Sequence, residues 1–221
     1  MEDARAAADG GADRLEVVRD IRLGGLTPPA SLVRAIASAT ALPLRVMVRE
    51  NAGYGTDAAE LVPMFRAAAT FADLGVDGLV AGFARDGHLL LDALREVLQA
   101  APTLPVTFHR AFDSLTDPLR AIDTLSQLPQ IDRILTDGIE GPSRRAPLRP
   151  RRCVRLREYA DRAASRLTIV AGSCVDEEML AEVARTRCVR EVHVGRAARD
   201  GADPEGPVTA ARVRRLREIL A

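Results

Sequence analysis

Val106-Thr107-Phe108-His109-Arg110-Ala111-Phe112-Asp113 ends a β-branched and aromatic run in a histidine, an arginine and an aspartate, just before a Pro-punctuated helix start at Asp117-Pro118. Histidine can shuttle a proton or bind a metal near neutral pH. Arginine clamps an anion with a planar, permanently charged fork, and a carboxylate can orient either. Polar residues just beyond a strand are where α/β folds keep small-molecule chemistry. His109 and Asp113 are therefore candidate acid–base groups, and Arg110 a candidate anion ligand.

Other strand ends supply further chemistry. Glu16 lies inside the apolar run Leu15-Glu16-Val17, where an unpaired charge is costly. It either pairs with Arg49 or another arginine or serves as the carboxylate counterpart of His109. Arg49 closes Val46-Met47-Val48 and precedes the glycine-bearing loop Glu50–Gly55, and Thr136-Asp137 and Val192-His193-Val194 end two more runs. Cys174 follows Ala171-Gly172-Ser173, so it alone of the three cysteines can face such a site, while Cys153 and Cys188 read as packing residues. Gly24-Gly25-Leu26-Thr27-Pro28 opens a helix and offers backbone amides to an anion.

Composition narrows the chemistry. All 31 basic residues are arginine, balanced by 31 acidic ones. Without lysine there is no Schiff-base nucleophile, no anchor for pyridoxal phosphate and no Walker-type phosphate loop. Zero net charge gives no call for nucleic acid or an anionic membrane. The arginines from Arg144 to Arg157 read as a solvated loop and helix face. No apolar run reaches the length of a membrane span, and no signal peptide is visible. Three widely spaced cysteines point to a reducing cytoplasm, without a disulfide framework.

These residues need a scaffold. Runs ending near Val17, Arg49, Ala81, His109, Thr136, Ala171 and Val194 alternate with helical patterns over 29–39, 57–74, 91–100, 117–128, 152–166, 176–185 and 209–220. Residues 2–9 add a helix ahead of the first run. Three strands are entered through an aspartate: Asp13, Asp77 and Asp132. Regular alternation implies parallel strands with right-handed crossovers, and the even spacing predicts one (β/α)8 TIM barrel over residues 1–221. Seven strands leave the count one short, as though the first N-terminal strand were lacking.

In this order the stretches GADRLE (11–16), GGLTP (24–28), TFHRAFD (107–113), RILTDG (133–138), IVAG (169–172) and EVH (191–193) resemble the copper homeostasis protein CutC family, whose members are TIM barrels. The resemblance covers essentially the whole chain and likewise implies an absent first strand. It implies copper handling in the cytoplasm, and fold analogy suggests a homodimer. The family's proposed cysteine ligands lie on its first two strands, but here Val17-Val18 stands in place of Leu-Cys. The loop after Arg49 departs from the family's Pro-Arg-Gly-Gly, and Cys174 replaces a customary glycine. Copper would thus fall to Cys174, His109 and His193. The alternative is an enzyme acting on a small anionic metabolite, with Glu16, His109 and Asp113 as acid–base groups and Arg49, Arg110, Thr136 and His193 binding the ligand.

Overall fold

In the computed structural model residues 1–139 and 149–221 are described, without the side chains of Arg149 and Pro150. The chain runs α1 (Glu2–Asp9), β1 (Leu15–Val17), α2 (Ala30–Ala39), β2 (Leu44–Met47), α3 (Ala58–Asp73), β3 (Gly78–Ala81), β4 (Ala84–Arg85), β5 (His88–Leu89), α4 (Leu91–Ala100), β6 (Val106–Phe108), α5 (Pro118–Leu125), β7 (Ile131–Thr136), α6 (Arg149–Ala163), β8 (Thr168–Ala171), α7 (Glu177–Thr186), β9 (Glu191–Val192) and α8 (Ala210–Leu220). Among the described residues seven strands form one sheet in the order β1-β2-β3-β6-β7-β8-β9, every neighbouring pair parallel. β4 and β5 make a separate antiparallel hairpin about Asp86-Gly87, both at positive φ. A DG pair between short β runs is a strong signal for such a turn.

Helix starts follow the capping chemistry of the sequence. The Asp57 carboxylate accepts from the amides of Ala59 and Glu60, Asp117 from Arg120, Asp176 from Met179, and the Thr209 hydroxyl from Arg212. Such a cap stabilises a helix by about 1 kcal/mol. The apolar stripe of α3 (Met64, Ala68, Phe71) packs on the outer face of the sheet, where Val46, Leu79, Val106 and Ile134 are fully buried. Each large side chain so buried contributes roughly 1.5–3 kcal/mol.

The sheet curls until its two edge strands meet through side chains. Arg14 reaches Glu191 at 2.5 Å, and Glu16 Oε2 lies 3.7 Å from His193 Nδ1. β1 and β9 are not hydrogen-bonded partners. The result is a (β/α)8 barrel-like fold with a seam where an arginine–carboxylate pair and a carboxylate–imidazole contact stand in place of a backbone ladder.

Inside the barrel, near the strand starts, lies a paired charge network. Arg45 binds Asp132 through two bonds of 2.9 and 2.6 Å, and Arg133 binds Glu191 through two of 2.9 and 3.2 Å while also contacting Asp132. Asp132 lies within β7 and not at its entry. Of the other two entry aspartates, Asp77 accepts from the first amide of β2 at 2.8 Å, and Asp13 pairs with Arg217 at 2.5 Å.

Candidate active site at the barrel mouth

The strand C-termini converge on a cavity of about 2170 Å3 that opens at the mouth and continues down the seam. Glu16, Arg49, His109, Arg110, Cys174 and His193 all line it.

His109 follows β6 and is held there by its backbone, whose amide donates to the Ala81 carbonyl at 3.1 Å. Its ring lies so close to Gly82 that a Cβ there would stand 2.9 Å from Nδ1. The Ala111 amide donates to Nδ1 at 3.1 Å, which places the ring hydrogen on Nε2. Nε2 is buried and has no hydrogen-bond partner among the described residues. Burial, reinforced by the positive fields of Arg49 and Arg110, pushes the imidazole down to about 3. His109 is therefore a neutral donor across the physiological range.

Arg49 is 7% exposed, and its guanidinium is engaged entirely with carbonyl oxygens: Gly53 at 3.2 Å, Gly24 at 3.2 Å, Gly25 at 3.4 Å and Ala52 at 2.5 Å. Among the described residues it has no carboxylate partner, and burial lowers its affinity for its proton below the ordinary arginine value. The GGLTP loop is stitched to this strand end. The Thr27 amide and hydroxyl donate to the Arg49 carbonyl at 2.8 and 2.9 Å, and the Arg49 amide lies 2.9 Å from the same hydroxyl oxygen. Gly24 and Gly25, at φ of 81° and 88°, supply a left-handed turn that side chains resist.

Tyr54 roofs the pair. Its ring lies 5.1 Å from the Arg49 guanidinium carbon and 5.5 Å from the His109 ring centre. Its loop is pinned by Asn51, which donates to Glu60 at 2.8 Å and to the Gly55 carbonyl at 3.1 Å. The sequence marked that loop by its glycines and gave Tyr54 no role.

Arg110 bridges two carboxylates, giving Nε to Asp113 at 3.0 Å and one Nη to Asp137 at 3.0 Å. Its other Nη has no partner among the described residues, and 27% of the side chain is exposed. Asp113 stands behind it, accepting from the Thr136 hydroxyl at 2.6 Å and the Asp137 amide at 3.1 Å. Burial and the neighbouring Asp137 push Asp113 up to about 6, against the lowering effects of Thr136 and Arg110. Asp113 and Thr136 thus anchor Arg110 and are not part of the cavity wall.

His193 and Glu16 form the carboxylate–imidazole pair of the seam, with His193 one-third exposed. Cys174 is exposed, its sulfur 3.5 Å from Arg196 Nη2. It has a φ of 47°, a left-handed conformation that glycine adopts more readily than cysteine. Cys153 and Cys188 are buried, and burial together with the adjacent Cys188 thiol pushes Cys153 up to about 11.

Arg152 departs from the solvated face expected of the arginine run. It is 4% exposed and donates to the carbonyls of Asp137 (2.8 Å), Gly172 (3.2 Å), Ser173 (2.9 Å) and Cys174 (3.3 Å), tying the loops after β7 and β8 together. The signal was its spacing: Arg152, Leu156, Tyr159 and Ala163 share the buried stripe of α6. Arg144 and Arg145 lie outside the described residues.

The donors expected to hold copper do not assemble. Among the described residues no three histidine, cysteine or acidic side chains converge to hold a metal ion. His109 lies between two cations with one nitrogen already engaged, a setting that repels a metal cation.

Comparison with known proteins agrees with the architecture. The CutC family model matches residues 1–198. A CutC family protein of Histophilus somni (strain 2336) is 33% identical over 196 residues, 88% of this chain and 78% of that protein. The human copper homeostasis protein cutC homolog is 30% identical over 204 residues, 90% of this chain and 72% of that protein. A crystal structure of CutC from Streptococcus agalactiae superimposes with a TM-score of 0.74 at 24% identity, covering 82% of this chain and 87% of the other. The strand order, the GGLTP loop folded onto Arg49 and the His109–Arg110 pair at the mouth are thus set in a barrel of known lineage: the chain belongs to the CutC family.

Proposed function

We propose that this barrel binds a small anionic metabolite at its mouth and acts on it by acid–base chemistry. The observation that carries the reading is that, among the described residues, the buried Nε2–H of His109 has no partner. It lies near two cations: among the same residues Arg49 has no carboxylate partner and Arg110 has one Nη without a partner. Buried donors and charges in folded proteins are ordinarily satisfied. A set left open at a cavity suits an oxyanion that brings its own acceptors. Three free thiols suit a reducing cytoplasm, and among the described residues no helix is long and apolar enough to cross a membrane.

The test is thermal unfolding against a panel of phosphate, malonate and pyruvate. At least one anion is expected to raise the Tm, and Arg110→Ala to abolish the rise. A flat response across the panel in the unmodified protein removes the reading.

Copper handling is the second reading, favoured by the printed name of the human relative and by the exposed thiol of Cys174 on the cavity wall. Copper(I) prefers such soft sulfur ligands, and here copper would be cargo. One-to-one copper(I) binding in a competition titration, lost in Cys174→Ser, supports it; stoichiometric binding that survives in Cys174→Ser removes that thiol from the role, and absence of binding removes the reading.

A further inference from the structure

We infer that the loops after β8 and β9 form a phosphate site, and that the group it takes is the phosphate of a small phosphate monoester. The site uses neither His109 nor Arg110 and stands on another part of the cavity wall.

Its geometry starts from Arg152, whose guanidinium collects three successive carbonyls: Gly172 at 3.2 Å, Ser173 at 2.9 Å and Cys174 at 3.3 Å. In a planar trans peptide the C=O and the following N–H point in opposite directions, and no described peptide bond is cis. The amides of Ser173, Cys174 and Val175 therefore face away from Arg152. That direction is the cavity, because Ser173, Cys174 and Val175 line it and Arg152 does not. None of the three amides has an acceptor among the described residues. Successive N–H groups presented by a turn bind anions. The Arg152 cation, drawing on the carbonyl ends of these peptides, strengthens their N–H ends as donors.

Arg196, in the loop after β9, supplies the charge. It is exposed, and its Nη2 lies 3.5 Å from Cys174 Sγ, so it stands over the same turn. Among the described residues it has no carboxylate partner. The Ser173 hydroxyl lies 3.9 Å from that sulfur and adds a further donor. The two carboxylates that follow are engaged elsewhere: Asp176 caps α7 at the Met179 amide, and Glu177 meets Arg215 at 3.4 Å.

Three amides, a hydroxyl and a guanidinium outnumber the roughly four acceptor sites of a carboxylate. The three terminal oxygens of a phosphate monoester match them, and arginine suits phosphate with its fork. The fourth oxygen carries the organic part into a cavity of about 2170 Å3, which has room for it. Access is open, since Cys174 and Arg196 both reach solvent.

The test is an NMR titration of the 15N-labelled intact protein with inorganic phosphate, glycerol 3-phosphate and malonate. Both phosphates should move the Ser173, Cys174 and Val175 amide protons downfield along one saturating curve. Malonate should bind about tenfold more weakly, and Arg196→Ala should weaken both phosphates about tenfold, the worth of one charged hydrogen bond. Arg196→Lys should recover part of that loss. Phosphate is an anion for both sites, and the position of the shifts separates them. Shifts confined to the His109 and Arg110 amides overturn this site and leave the anion reading above standing. Malonate binding as tightly as phosphate at the three amides overturns the phosphate assignment. Inorganic phosphate binding without glycerol 3-phosphate overturns the ester, and unchanged affinity in Arg196→Ala overturns the role of Arg196. No shift at the three amides with either phosphate removes the site.

Discussion

At the floor of the barrel, Arg14, Arg45 and Arg133 each meet a carboxylate, Asp132 or Glu191, with bonds of 2.5 to 3.2 Å. At the mouth, among the described residues, Arg49 hydrogen-bonds only to carbonyls, Arg110 has one Nη without a partner, and His109 keeps one polar atom unbonded. Arg45 and Arg49 lie on one segment, within β2 and just past its end, and finish in opposite states. The floor is electrostatically closed and holds the strand starts in place. The mouth has donors to spare, which is how a binding region differs from a structural one built of identical side chains.

Acid should reveal the mouth most strongly. An unfolded chain protonates His109 as pH falls through 6.5, whereas the folded chain resists until about 3. Stability present above that window is therefore lost on acidification. Asp113, raised to about 6 from 3.8, works the other way, favouring the fold at low pH and losing that contribution as pH rises through 6. The imidazole shift is the larger, so His109 wins. His109→Asn keeps a side-chain acceptor for the Ala111 amide and removes the titration. Between about pH 6.5 and 4.5 the parent's Tm should fall relative to the variant's; parallel curves would show that His109 titrates normally.

The floor answers to a different change. Asp132→Ala strands Arg45, whose side chain is 9% exposed. A loss of about 3 kcal/mol in urea unfolding is expected, as for other broken buried pairs, with anion-induced stabilisation of the folded protein intact. Loss of anion response without loss of stability would erase the division between the two regions. The smallest effect belongs to the rim. Cys174→Gly relieves a left-handed residue and should raise stability by about 1 kcal/mol, readable as a higher urea midpoint. An unchanged or lower midpoint would mean that the contact with Arg196 outweighs the backbone strain.

Much of this was legible in the sequence, for identifiable reasons. All seven sheet strands and the helices between them follow from apolar runs and capping aspartates, because burial and orphan amides impose those patterns locally. His109 and Arg110 were legible as polar residues at a strand tip. Asp113 was legible as a carboxylate but not as a prop behind Arg110, since that depends on Thr136 and Asp137 arriving from the next strand. Tyr54 and Arg152 were missed because each acts across elements. Only the folded loop lays Tyr54 over His109, and only the folded helix carries Arg152 to four carbonyls. Glu16 was expected either to meet an arginine or to serve as the carboxylate counterpart of His109; it faces His193, a pairing that depends on the curl of the whole sheet.

The clasped seam has a consequence for how the barrel breathes. Central strands β3, β6 and β7 are hydrogen-bonded on both flanks, whereas β1 and β9 each hold a backbone ladder on one flank only. Between the two edge strands themselves the described residues make side-chain contacts and no backbone bond. Outside the sheet α1 packs on α8, and Asp3 and Asp13 bind Arg199 and Arg217. Amide exchange should therefore be fastest in β1 and β9 and slowest in β6, and added salt, by screening the clasp, should quicken the edges while leaving the centre unchanged.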